Sequence, residues 1–373
     1  MDFEAYRDDF PIFETKSYLN TCSLGPLSTW SRDAAHRFFD DWDDLGAHAW
    51  YERWMEALDR ARGQFASLIG ATRDEIALAP NVSSALSIIA SALDYGERSE
   101  VLSTDLDFPT LPYQWQVNPH AELRLLRSPD TITFPAQDWE ASVTDRTLAV
   151  ATCHVFFATG FLQDIPALGD LARERGAITI VDGYHATGQL PVDVRELGVD
   201  VYISGSLKWL LGGPGLAFLY VRRDRIAEWS PTFTGWFANA HQFDFDPQAF
   251  TFRDDARRFE VGTPATAVAF SALAGLDLIQ EVGPSQIRDR TLALANDLIE
   301  RAEDAKLDVR APPPEARTGI VMVEVLDPED TVQRLLGRNI IVDSRGSRVR
   351  ISPYFYNTFE ENEAVVDVLS AAG

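Results

Sequence analysis

Four scarcities narrow what this sequence can do. It has two cysteines in 373 residues, Cys22 and Cys153, too few for a disulfide framework or a cysteine-rich zinc site. No uninterrupted apolar stretch reaches the ~18 residues that a membrane span needs. The most apolar stretch, 148–162, is broken by Thr152, His154, Thr159 and Gly160. Positive charge is short, with 33 Lys+Arg against 57 Asp+Glu and a formal charge of −24. Nucleic acid and anionic membranes repel such a chain, so neither is expected as a partner. The opening MDFEAYRDDF is acidic where a secretion signal is basic, so a cytoplasmic location is expected. Finally, there are three lysines, Lys16, Lys208 and Lys306, and every other basic residue is arginine. Chemistry that needs an amine therefore has three candidates.

What is present has the balance of a globular chain, 46% hydrophobic and 24% charged. At roughly 150 residues per domain, two domains are expected. Residues 1–30 read as an irregular arm belonging to a small domain, and 31–260 as a large domain. Residues 261–373 read as a hinge helix and a smaller C-terminal α+β domain. The pattern over 31–69 is helical. Apolar strands at 76–78, 148–151, 177–181, 199–204 and 216–222 alternate with helices, which predicts a mainly parallel sheet of an α/β fold. Ligands bind beyond the carboxyl ends of such strands. Residues 232–257 read as a long aromatic and acidic loop, 266–279 as a helix, and Thr358 with Glu361 as a helix-opening capping box.

Lys208 stands between an apolar strand and the turn Gly212-Gly213-Pro214-Gly215. Burying a lysine there is costly unless it is used or paired. Position alone leaves a second reading open, a loop lysine that snorkels its head to water. Lys16 lies in a polar arm and Lys306 in the charged segment ERAEDAK. Asp182 ends the strand AITIV, with His185 three residues on. Such a carboxylate can be a plain helix cap. Adjacent parallel strands, however, would set Asp182 and Lys208 on one rim. An aspartate facing a Schiff-base lysine is what pyridoxal phosphate requires, because the carboxylate keeps the pyridine nitrogen protonated. Ser83 and Ser84 open an apolar helix whose free N–H groups favour a phosphate, with plain N-capping as the alternative. The glycine run does not fit G-x-G-x-x-G and leads into a strand. H-E-x-x-H, a Cys-His cluster and G-x-S-x-G are all missing, so neither a metal site nor a serine-hydrolase elbow is expected.

The segment 181–223, VDGYHATGQLPVDVRELGVDVYISGSLKWLLGGPGLAFLYVRR, resembles the signature of the class V aminotransferase family of fold-type I pyridoxal-phosphate enzymes. HVFFATGFLQDI (154–165), RFEVGTP (258–264) and RVRISPYFYNTFEEN (348–362) resemble its other blocks, in the expected order. Within it the chain looks most like the kynureninase branch, through Tyr18 to Pro26, Phe108-Pro109-Thr110, Gly235-Trp236 and Asp343-x-Arg345.

The resemblance implies a large domain with a mainly parallel seven-stranded sheet and a pyridoxal 5'-phosphate cofactor. It also implies a homodimer with shared sites acting on a small amino acid. It gives Lys208, Asp182 and His185 catalytic roles, with His185 near the ring's phenolic oxygen. Phe108 would stack on the ring. Ser83, Ser84, Ser206 and Trp236 would lie about the cofactor phosphate, and Thr263 would reach the neighbouring subunit's phosphate. Arg350, with Asn20 and Ser23, would bind the substrate, the arginine through its bidentate fork. Side-chain (Cβ) cleavage is the activity implied first, beside C–S lyase, epimerase or aminotransferase chemistry and a non-catalytic binding protein. The chain departs from its relatives at Leu207, where kynureninases carry a phosphate-binding tyrosine and desulfurases a histidine. It also carries Leu111 where F-P-[ST] is usually followed by an acid. Residues 340–349 hold no cysteine, which disfavours a persulfide-forming desulfurase.

Overall fold

The structure is a computed structural model, described over residues 1–371. Its centre is a seven-stranded sheet: β1 (Ile76–Ala79), β2 (Glu100–Thr104), β3 (Glu122–Leu126), β4 (Thr147–Cys153), β5 (Ile178–Asp182), β6 (Val201–Gly205) and β7 (Ala217–Val221). The spatial order is β1-β7-β6-β5-β4-β2-β3. β7 runs antiparallel to both its neighbours and all other pairs are parallel, which is the mainly parallel sheet that the sequence predicts. Strands β4, β5 and β6 are buried along their whole length, as a sheet covered on both faces requires. The direction of β7 has a simple cause. Residues 206–216 contain no helix, and a parallel return needs a crossover of a dozen or more residues.

The helical stretch read over 31–69 is two helices, α1 (Thr29–Leu45) and α2 (Met55–Leu68). The chain breaks at Gly46, whose φ of 53° suits glycine, and re-enters helix through a short π-helical segment, Trp50–Trp54, that runs into α2. Phe38 stacks on Trp54 at 4.7 Å to close the elbow. α3 (Val82–Ala90) follows β1 directly, and the long helix α4 (Thr266–Val282) packs on α1 and α2.

A second apolar cluster lies under α5 (Pro284–Asp304) and α6 (Phe359–Ser370). It joins Leu298, Ile299, Val321, Val323, Val349, Ile351 and Val365. Its sheet is antiparallel, made of β8 (Asp308–Val309), β9 (Val321–Glu324), β10 (Asp343–Arg345) and β11 (Arg348–Ile351) in the order β10-β11-β9-β8. The N-terminal arm is tied down nearby, where Ser17–Tyr18 pairs with Ile340–Ile341. Thr358 and Glu361 form the capping box of α6. No helix among the described residues is long and apolar enough to cross a membrane.

Candidate active site

Five parallel strands end on one rim of the sheet, and each brings a side chain to it. Asn81 lies two residues past β1, Phe108 four past β2, and Lys208 three past β6. Cys153 and Asp182 are the last residues of β4 and β5. Together with Ser23, Ser83, Thr110, Tyr184 and His185 they line a cavity of about 240 Å³. The N-terminal arm closes one side. Gly25 N–H donates to the Leu207 carbonyl at 2.7 Å, and a Cβ on Gly25 would overlap the Lys208 carbonyl oxygen. That approach requires glycine.

Lys208 Nζ lies 2.9 Å from His185 Nε2 and 4.3 Å from the centre of the Tyr184 ring. Burial lowers its amine to about 8; Asp182 pulls it up and Arg350 opposes it. Asp182 is 4% exposed, and its Oδ1 accepts the Tyr184 N–H at 2.8 Å. Burial pushes this carboxyl up to about 6, against the pull of that N–H and of Lys208. His185 is held well below the usual imidazole range by burial and by the charges of Lys208, Arg350 and Arg345, so it is neutral.

One end of the cavity is built by α3. The Asn81 side chain accepts the Ser84 N–H at 2.8 Å, and the N–H groups of Val82 and Ser83 have no hydrogen-bond partner among the described residues. Ser83 and Thr110 join their hydroxyls at 2.8 Å beside them. A phosphate fits such a helix N-terminus. Behind the opposite wall lies Asp107, buried next to Phe108 and Cys153. It accepts five hydrogen bonds, from the Thr104 and Cys153 N–H groups at 2.7 Å, the Thr152 hydroxyl at 2.8 Å, and the Ser103 and Thr104 hydroxyls at 3.0 Å. This clamp joins the ends of β2 and β4 and fixes Phe108, the next residue in the chain.

The residues therefore suit the expected cofactor. Asp182 Oδ2 takes no hydrogen bond among the described residues and can meet a protonated ring nitrogen. Lys208 offers an amine to an aldehyde, and α3 offers its N–H groups to a phosphate.

Of the residues named from sequence, Lys208, Asp182, His185, Ser83, Phe108 and Ser23 meet at this cavity. Arg350 lies one layer back, hydrogen-bonded to Ser23 at 2.7 Å, and its charge is felt at Lys208. Asn20 pairs its backbone with Ser352. Ser84, Trp236 and Thr263 are not in the cavity wall; Thr263 lines a separate groove with Phe38, Trp42 and Trp54. Ser206 is fully buried and outside the cavity wall, and its hydroxyl is shared between the Gly213 and Leu216 carbonyls at 2.7 and 3.1 Å, within the glycine turn. Tyr184, Asn81, Thr110 and Asp107 were not anticipated. A larger groove of about 850 Å³, lined by Trp139, Asp164 and Glu315 among others, contains no lysine, histidine or cysteine.

Comparison with known proteins agrees with this geometry. The profile of the family described as Aminotransferase class-V matches residues 33–365. An uncharacterized aminotransferase, YcbU, of Bacillus subtilis is 33% identical, covering 99% of this chain and 97% of that protein. Isopenicillin N epimerase of Streptomyces clavuligerus is 30% identical over 99% and 98%. A kynureninase of Geobacillus thermodenitrificans is 27% identical over 98% and 90%. The fold matches an apo cysteine desulfurase structure from Thermococcus onnurineus with a TM-score of 0.90 at 23% identity, covering 99% of this chain and 97% of that one.

Proposed function

The chain belongs to the aminotransferase class-V family and is a pyridoxal-phosphate enzyme, and we propose that it breaks a bond at the β-carbon of a small amino acid. The observation that carries this reading is the meeting of Lys208, Asp182 and His185 in one cavity at the carboxyl ends of the sheet. When bound, pyridoxal phosphate supplies an electron-accepting ring that stabilises negative charge on the substrate's α-carbon.

The protein's own groups do the rest. Asp182 is ionised above about pH 6 and holds positive charge at the ring nitrogen. The N–H groups of Val82 and Ser83, with the Ser83 and Thr110 hydroxyls, hold the phosphate. Phe108 and Tyr184 wall the cavity. Lys208 Nζ, lowered to about 8, takes and returns protons near neutral pH, as a general base must. Arg350 and Ser23 receive the substrate's carboxylate, and Asn20 keeps the arm that carries Ser23 in place. Thr263, outside this cavity, is assigned to a second copy's cofactor phosphate in a homodimer, and Trp236 keeps the place near the phosphate that the resemblance implies.

The choice of the β-carbon is supported by the kynureninase-like blocks at 18–26, 108–110, 235–236 and 343–345. The epimerase relative favours a second reading, inversion at the α-carbon. A panel of L-amino acids with product identification decides between them. Alanine plus an acid, or pyruvate plus ammonia, supports β-cleavage. An inverted stereocentre or a keto acid as the main product overturns it.

A further inference from the structure

Trp209 follows Lys208 in the chain and is fully buried. Its indole N–H donates to His185 Nδ1 at 3.3 Å, on the side of the imidazole away from Lys208. The Tyr354 ring packs edge-on against the indole at 5.1 Å, and its hydroxyl, shared between the Gly188 and Trp209 carbonyls at 2.6 and 3.0 Å, fixes that ring against it. An indole nitrogen only donates. His185 Nδ1 must therefore present its lone pair, and a neutral imidazole then carries its proton on Nε2. That Nε2–H points at Lys208 Nζ and needs an acceptor there. Only an uncharged amine has the lone pair to serve. An ammonium would have to donate to Nε2, which drives the imidazole proton to Nδ1 and against the indole N–H.

We propose that Trp209 is a positioning residue: it fixes His185 with its proton on Nε2 and thereby favours the uncharged amine of Lys208. This rests on the reading of Lys208 as the lysine that takes the cofactor's aldehyde. The other groups facing the amine are Asp182 at the end of β5, Cys153 at the end of β4, Cys22 on the arm and Arg350 on β11. The Tyr184 and Phe108 rings also face it. Asp182 and the ring faces favour the charged form, while the protonated thiols carry no charge. The neutral form is favoured by burial, Arg350 and the indole-set imidazole. His185 itself also feels Arg345.

The first test is nitrogen-15 NMR of histidine in the full chain stripped of cofactor, recorded above about pH 8, where the amine is uncharged, with the His185 signals assigned by their loss in His185→Gln. The expected result is an unprotonated Nδ1 and a protonated Nε2. A proton on Nδ1, or an even mixture of tautomers, overturns the proposal. The second test uses Trp209→Phe, which keeps an aromatic ring and removes the N–H. Capture of pyridoxal phosphate joins the amine nitrogen to the aldehyde carbon, and the aldehyde oxygen leaves as water with the amine's two protons. The pH midpoint of the capture rate, followed by visible absorbance, is expected near 8 in the wild type. In the variant it is expected to rise by about half a unit to one unit, the worth of one hydrogen bond. An unmoved midpoint overturns the proposal. If Trp209→Phe does not fold, the wild-type tautomer decides alone. A wild type that captures no pyridoxal phosphate at any pH contradicts the reading of Lys208, and the tautomer still decides the role of Trp209.

Discussion

Asp343 grips Arg350 through both carboxylate oxygens, Oδ1 accepting from Nε at 2.8 Å and Oδ2 from Nη2 at 2.6 Å. The Arg350 fork also donates to the Phe157 carbonyl at 2.9 Å and to Ser23 Oγ at 2.7 Å. Little of the guanidinium is left over, since it carries five N–H groups in all. On the proposed reading, an incoming carboxylate takes what remains, beside Ser23.

Arg350→Lys keeps the charge and loses the fork. The expected outcome is a KM raised on the order of 10- to 100-fold with a much smaller change in kcat, the pattern of a lost ground-state binding contact. Steady-state kinetics on the amino acid found by the panel checks this. A fall in kcat at unchanged KM contradicts the assignment.

Asp182 should cost the empty protein stability. Its folded value of about 6 lies above the usual carboxyl value. The stabilisation linked to its proton is thus complete below about pH 4 and is lost as pH rises through about 6. Asp182→Asn removes that dependence. Near neutral pH the cofactor-free variant is expected to be more stable than wild type, by up to roughly 3 kcal/mol. Its amide oxygen can still accept the Tyr184 N–H, while catalysis is lost. Denaturant titrations on either side of pH 6 measure this, and a variant less stable than wild type at neutral pH contradicts it.

Both thiols lie near the site and neither is available. Cys22 and Cys153 are buried, and burial raises each thiol above its ordinary value, with Asp107 and Asp182 raising Cys153 further. A thiol that stays protonated does not attack. The double variant Cys22→Ala/Cys153→Ala is expected to fold and keep its turnover within a few-fold in a product assay. A turnover that vanishes in the folded variant contradicts this reading of the two thiols as unreactive.

Much of this site is visible in the sequence because the chain has so few lysines. Lys16 reaches Asn339 and Lys306 follows a charged helix, so only Lys208 sits beside apolar strands. Asp182 is likewise visible at the end of a buried run. Other parts depend on contacts that local sequence does not encode. Thr110 meets Ser83 across 27 positions, and the indole of Trp209 meets His185 across 24. Strands β2 and β3 (EVLST and ELRLL) are short and mixed, and β3 is largely exposed, so neither shows a clear apolar run. The run AFLYV marks β7 as a buried strand but does not give its direction; the short helix-free link before it does. Ser206 looks like a cofactor contact by its place in the motif, which does not show that its hydroxyl bonds within the turn.

The most direct test is chemical. The purified chain is incubated with pyridoxal phosphate, reduced with borohydride, digested and mapped by mass spectrometry, beside Lys208→Ala. A visible absorption band in the wild type alone, with the reduced adduct on the peptide that contains Lys208, is the expected result. No band, or an adduct on Lys16 or Lys306 instead, contradicts the site.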